Sequence, residues 1–115
     1  MMNKDLEKTI EDLKTAKRKT GHKVWGAVAE ELDKPKRIRT SVNLSRINRE
    51  TDEDQIAVIP GKVLASGSLK HRVIVAAFAF SETAAEKIEA AGGSAKLLSQ
   101  LVNENPDVSK IKLLK

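Results

Sequence analysis

Apolar positions in the first 33 residues recur at helical spacing. Leu6, Ile10 and Leu13 lie four and three residues apart, which predicts a helix over residues 3–20 with one apolar stripe. Asn3 is placed as its N-cap, and Asp5 and Glu7 fall in the first turn. Lys17, Arg18 and Lys19 fall in the last turn, in accord with the helix dipole, and Thr20-Gly21 ends it. Val24, Val28 and Leu32 predict a second helix over Lys23–Asp33, with Pro35 beyond its end. Trp25 sits one step off that stripe, as a core or boundary residue or as a ring able to stack on a base or ribose.

The period then changes. "IRTSVNL" is extended and leads to a helical turn over Ser45–Arg49, followed by an acidic turn with Glu50, Asp52, Glu53 and Asp54. "QIAVI" reads as a strand closed by a Pro60-Gly61 turn, with "KVL" continuing after it and "ASGSL" as a loop. Val73 to Phe80 are eight consecutive apolar residues, the mark of a central strand buried on both faces. Ser81 caps a helix with Ala84, Ala85, Ile88 and Ala91, stopped by Gly92-Gly93. "SAKLL" gives another strand, Ser99–Glu104 a short helix ended by Asn105-Pro106, and "KIKLL" a last strand. The alternation points to a compact α/β module with partly parallel pairing. At 115 residues we expect one domain, 1–115, with a helical basic part over 1–40 and an α/β core over 41–115.

Charge sharpens this picture. Residues 1–49 hold 13 basic against 7 acidic residues, a net of +6, whereas residues 50–115 are at −1. Two acid-free windows concentrate the excess: Lys14, Lys17, Arg18, Lys19 and Lys23 in one, Lys34, Lys36, Arg37, Arg39, Arg46 and Arg49 in the other. A third, from Gln55 to Ser81, carries Lys62, Lys70 and Arg72. Clustered like charge repels itself in a folded chain, and a polyanion relieves it. The aromatics Phe78 and Phe80 lie in the buried strand, which argues against a sheet that stacks single-stranded bases. Backbone and shape recognition of structured RNA fits better, though charge alone does not separate it from duplex DNA.

Catalytic signals are thin. Ile56 stands where a phosphate-binding loop before Lys62 needs glycine, and Val63 follows where it needs Ser or Thr. Ser66 and Ser68 lack the setting of a nucleophile elbow. His22 and His71 are the only histidines, 49 residues apart and each beside basic residues that repel a metal cation. There is no cysteine, no run near the roughly 20 apolar residues of a membrane span, and no apolar h-region in "MMNKDLEKTI". A soluble intracellular protein is expected.

The basic segment from Leu32 through Lys34-Pro35, Arg37 and Arg39 to Val42-Asn43-Leu44, Arg46 and Ile47 carries a resemblance. So do Val24-Trp25, Pro60-Gly61-Lys62-Val63-Leu64, Gly67, Ala76-Ala77, Phe80-Ser81, Lys87-Ile88 and Asn105-Pro106. In this order and spacing the chain resembles the archaeal and eukaryotic large-subunit ribosomal protein 18e family, a relative of bacterial large-subunit ribosomal protein 15. The resemblance implies a compact, irregular β-β-α superhelix with a helical, basic N-terminal part. It implies a cytoplasmic constituent of the ribosome that binds and stabilises folded large-subunit ribosomal RNA beside neighbouring large-subunit ribosomal proteins. No catalysis, cofactor, metal, membrane or small-molecule substrate is implied.

Carried onto matching positions, Arg37, Arg39 and Arg46 suit bidentate phosphate contacts, and Lys34, Lys36 and Lys62 supply point charges. Gly61 and Gly67 would let the backbone approach RNA closely. Lys17, Arg18, Lys19 and Trp25 extend the surface by inference, with Lys70 and His71 as further candidates. A sequence-neutral DNA-binding chromatin protein, or an RNA-processing enzyme using His22 or His71 as acid or base, are the competing readings.

Overall fold

Two helices and a wholly parallel sheet meet where alternate strand residues demand it. The computed structural model describes residues 4–35 and 40–115. Helix α1 (Lys4–Thr20) and helix α2 (Lys23–Leu32) form as their apolar spacing predicts. Strand β1 (Thr40–Asn43) leads into α3 (Leu44–Glu50), followed by β2 (Ile56–Leu64) and β3 (Ile74–Phe80). Helix α4 (Glu82–Ala90), β4 (Ser94–Leu97), α5 (Leu98–Asn103) and β5 (Ile111–Leu113) complete the order.

The sheet runs β1-β2-β3-β4, with β5 also paired to β2, and all four pairings are parallel rather than partly so. Side chains alternate between faces along a strand, and the core divides accordingly. Ile56, Val58 and Ala76 pack with Leu6, Ile10 and Leu13 of α1, Val28 and Leu32 of α2, and Leu98 and Leu101 of α5. Ala57, Ile59, Val75 and Ala77 pack on the opposite face with Leu44 and Ile47 of α3 and Ala84 and Ile88 of α4. Strand β3 is interior to the sheet, but full burial is confined to Val75–Ala77, with Phe78 to Phe80 half-buried.

Pro60-Gly61 is not a turn. Strand β2 continues through it, because both residues form a bulge: Ile59 pairs with Ala77, and the next partners are Lys62 and Ala79. On the other edge, β5 pairs with Ile56 to Val58 and β1 with Gly61 to Leu64. Pro60, with no N–H to give, thus falls in the gap between two edge partners.

The connection from β2 to β3, residues 65–73, contains no helix. Leu69 and Val73 anchor it in the α3–α4 core. At its tip Gly67 has φ +89°, and an added β carbon would lie 2.5 Å from Ser45 Cβ. Lys87 of α4 donates from Nζ to the Ala65 and Gly67 carbonyls at 3.1 and 3.3 Å. Helix α4 itself is capped by Ser81, whose Oγ accepts from the Ala84 N–H at 3.2 Å.

Candidate nucleic-acid interface

The basic side chains separate into those held by the chain's own groups and those left free. Arg18 pairs with Glu11 at 3.5 Å and bonds Thr15 Oγ1 at 3.1 Å. Lys34 meets Glu31 at 2.8 Å, and Lys115 approaches the same carboxylate at 3.6 Å. The Lys34 hydrogen bond, only partly opposed by desolvation, holds the Glu31 carboxyl below its ordinary 4.5. Arg72 grips Asp54 at 2.8 Å and Glu53 at 3.3 Å, lowering Asp54 chiefly through that hydrogen bond.

Arg46 differs from its expected role as an open bidentate phosphate ligand. Its Nε donates to Glu50, one helical turn on, and its Nη2 donates to the Lys115 carbonyl at 3.1 Å. The hydrogen bond from Arg46 also depresses the Glu50 carboxyl.

Trp25 is 2 % exposed and belongs to the core between α1, α2 and the sheet. Its ring has no face free for a base, so the core alternative describes it and the stacking one does not. The glycines likewise answer to the fold. Gly61 is buried, and an added β carbon would lie 1.8 Å from the Thr40 carbonyl oxygen, so its lack of a side chain admits β1 rather than RNA. Gly67 makes room for Ser45 in the same way.

His71 is half-buried with Nε2 2.9 Å from Thr51 Oγ1. The Thr51 hydroxyl gives its single proton to the Ile47 carbonyl at 2.6 Å, so the imidazole Nε2–H must be the donor to it. The contact ties the β2–β3 connection to the end of α3. His71 is therefore a tether and not an open surface donor. His22 is exposed at the start of α2 with no side-chain capping bond. Among the described residues, no group of three His, Asp or Glu side chains could hold a metal ion.

Lys17 and Lys19 are exposed at the end of α1, and neither forms an ion pair with a carboxylate among the described residues. The Lys17 stem lies across Gly26 of α2, where a β carbon would come within 2.8 Å of its Cδ. Lys62 is exposed on β2, in register between Ser41 and Ala79. The Lys70 ammonium is also exposed, while its backbone N–H is fixed to Asn48 Oδ1 at 2.8 Å. Lys36, Arg37 and Arg39 lie outside the described residues.

Sequence reasoning passed over two exposed cations, Arg49 on α3 and Lys112 on β5, both near enough to Glu50 to favour its ionised form. Arg49 stood in an acid-free window. Lys112 had a subtler signal, as the one polar residue inside "IKLL", which must face away from the core that Ile111 and Leu113 join.

A groove of about 470 Å³ beside the start of α1 is lined by Asp5, Lys8, Thr9, Phe78, Ala79, Leu97, Leu98 and Ser99. It contains no histidine and one carboxylate, which is no acid–base pair. Among the described residues no helix is long and apolar enough to cross a membrane.

A parallel sheet lies between helical layers, and among the described residues the exposed Lys17, Lys19, Lys62, Lys70 and Lys112, with Arg49, stand outside the ion pairs named above. The chain belongs to the family described as ribosomal protein 60S L18 and 50S L18e, whose model matches residues 7–115. It is 46% identical to the large ribosomal subunit protein eL18 of Methanothermobacter thermautotrophicus over 112 residues, 97% of this chain and 93% of that one. It is 47% identical to the eL18 of Haloarcula marismortui over 113 residues, 98% and 97% of the two chains. The eL18 of Halobacterium salinarum is 46% identical over 110 residues, 96% and 94% of the two. These are structural ribosomal proteins and not enzymes.

Proposed function

We propose that this chain is a structural constituent of the large ribosomal subunit, in the cytoplasm, that holds folded large-subunit ribosomal RNA through contacts from Lys and Arg to phosphate. Neighbouring large-subunit ribosomal proteins are its other partners. Family membership supports the setting. The observation that carries the RNA reading is that Lys14, Lys17, Lys19, Lys23, Arg49, Lys62, Lys70 and Lys112, all exposed, form no contact ion pair with a carboxylate among the described residues, though Arg49 and Lys112 lie near Glu50. Each phosphate they neutralise releases counterions, so binding weakens steeply with salt. Arg37 and Arg39 join them in this reading from sequence alone, with Lys36.

Sucrose-gradient separation of source-cell lysate tests it. The chain should co-migrate with the large subunit and come off only at high salt. Its recovery with chromosomal DNA, and its absence from ribosomal fractions, would overturn the proposal. Arg37→Ala or Arg39→Ala should weaken RNA binding and lower its salt slope with the fold intact. Unfolding of either variant would assign those arginines to structure instead.

A further inference from the structure

Two carboxylates lie among the cations of α2 and α3. Glu31 on α2 meets Lys34 at 2.8 Å and Lys115 at 3.6 Å, and its side chain is only 15 % exposed. Glu50 on α3 accepts from Arg46 Nε and lies near Arg49 and Lys112. On charge alone, each should repel the phosphate that these cations attract.

The two carboxylates are joined through one residue. Lys115 reaches Glu31 with its ammonium, and its carbonyl accepts from Arg46 Nη2 at 3.1 Å. The residue before it is fixed, since the Leu114 N–H donates to the Val58 carbonyl at 2.9 Å and Leu114 is buried in the α3–α4 core. Helix α2 packs with Ile56 and Val58 on one face of the sheet, and α3 packs with Ala57 and Ile59 on the other. The network from Lys34 through Glu31, Lys115 and Arg46 to Glu50 therefore clasps one helical layer to the other just beyond β5. Removing either carboxylate opens the clasp at one end.

We infer that Glu31 and Glu50 are positioning residues for RNA, holding α2 and α3 in the relation in which the cations around them match a phosphate backbone. The inference rests on the RNA-binding reading above and deepens it. Each long side chain ordered before RNA arrives is worth about two- to tenfold in affinity, because that entropy is not lost on binding. The opposing repulsion is weak, since each carboxylate is already paired with a cation and salt screens what remains. The sign of the effect separates the two roles: a positioning carboxylate tightens RNA binding, and a merely neutralising one loosens it.

The test is the affinity of the full chain for full-length large-subunit ribosomal RNA, by filter binding at about 0.15 M salt. The temperature is one at which circular dichroism shows every variant folded, so lost stability alone leaves the affinity unmoved. Glu31→Gln/Glu50→Gln raises the net charge by two without removing a cation. The control, Glu7→Gln/Glu86→Gln, raises it equally at exposed carboxylates of α1 and α4 that lie outside the ion pairs among the described residues. The clasp variant should bind about tenfold more weakly than the parent, and the control as tightly as the parent or more so. If the double variant does not fold, Glu31→Gln and Glu50→Gln are measured singly, each expected to lose about threefold. Clasp variants that bind at parental strength or more tightly, or a control weakened to the same extent, would overturn the positioning role while leaving RNA binding in place. A parent that binds no ribosomal RNA would instead remove the RNA-binding reading itself, and the positioning role with it.

Discussion

Gly61→Ala isolates the reason for a glycine inside strand β2. The new methyl carbon would lie 1.8 Å from the Thr40 carbonyl oxygen and 2.8 Å from its carbon. Ordinary carbon–oxygen contact begins near 3.3 Å, so β1 must retreat by roughly 1.5 Å. The obstacle is backbone, not the end of a pliable side chain. Retreat breaks the register from Thr40–Gly61 to Asn43–Leu64 and lifts Val42, which is buried against the α3–α4 core. Overpacking commonly costs 1–3 kcal/mol, and a clash with a paired strand belongs at or above the top of that range, about 3 kcal/mol. For a chain of this size that is a fall in Tm of roughly 12–15 °C. Thermal unfolding followed by circular dichroism measures it. A variant with the parental Tm but weaker RNA affinity would refute the reasoning and return Gly61 to the role of close approach to RNA.

Three further outcomes are expected. Trp25→Phe should destabilise the fold by about 1–3 kcal/mol while leaving the salt slope of RNA binding unchanged, since the ring is buried; fluorescence quenching of Trp25 by RNA would contradict this. Ser81→Ala should cost about 1 kcal/mol by removing the cap of α4, with Ser81→Gly costing less, as urea unfolding will show. The folded chain depresses the Glu31, Glu50 and Asp54 carboxyls, so it binds protons more weakly there than the unfolded chain does. That contribution is complete above the ordinary 4.5 of Glu31 and Glu50 and the 3.8 of Asp54, and is lost as pH falls through the folded values. The urea midpoint should accordingly hold between about pH 7 and 5 and decline below about pH 4; a constant midpoint down to pH 3 would contradict the sign.

What could be read from the sequence was local. The stripe of Leu6, Ile10 and Leu13, the cap at Ser81 and the apolar run into β3 each depend on neighbours within a few residues, and each formed its expected element, though β3 is fully buried only over Val75–Ala77. Pro60-Gly61 misled because its local chemistry is that of a turn, whereas its actual setting is made by β1 and β5, which arrive from residues 40–43 and 111–113. The basic surface was legible as a region but not residue by residue. The spacing of Arg46 and Glu50 already allowed a helical ion pair, yet Glu50 had been assigned to a solvated turn. Pairing of Arg72 with Asp54, and of His71 with Thr51, needed the chain to fold back. Trp25 lay beside a predicted apolar stripe, and the actual buried stripe of α2 runs through Trp25, Val28, Ala29 and Leu32.

The parallel sheet has a temporal consequence. A hairpin can close from a short turn, but none of the strand pairs described here is antiparallel. Each ladder waits on an intervening crossover, and β5 must travel from residue 111 to find residue 56. Loop-closure entropy is spent before any such contact repays it, which slows folding towards milliseconds or longer. Electrostatic encounter between a chain of net charge +5 and RNA requires no such search. Under the proposed function, RNA contact therefore competes with strand pairing in newly made chain, and the order of the two is set by their relative rates.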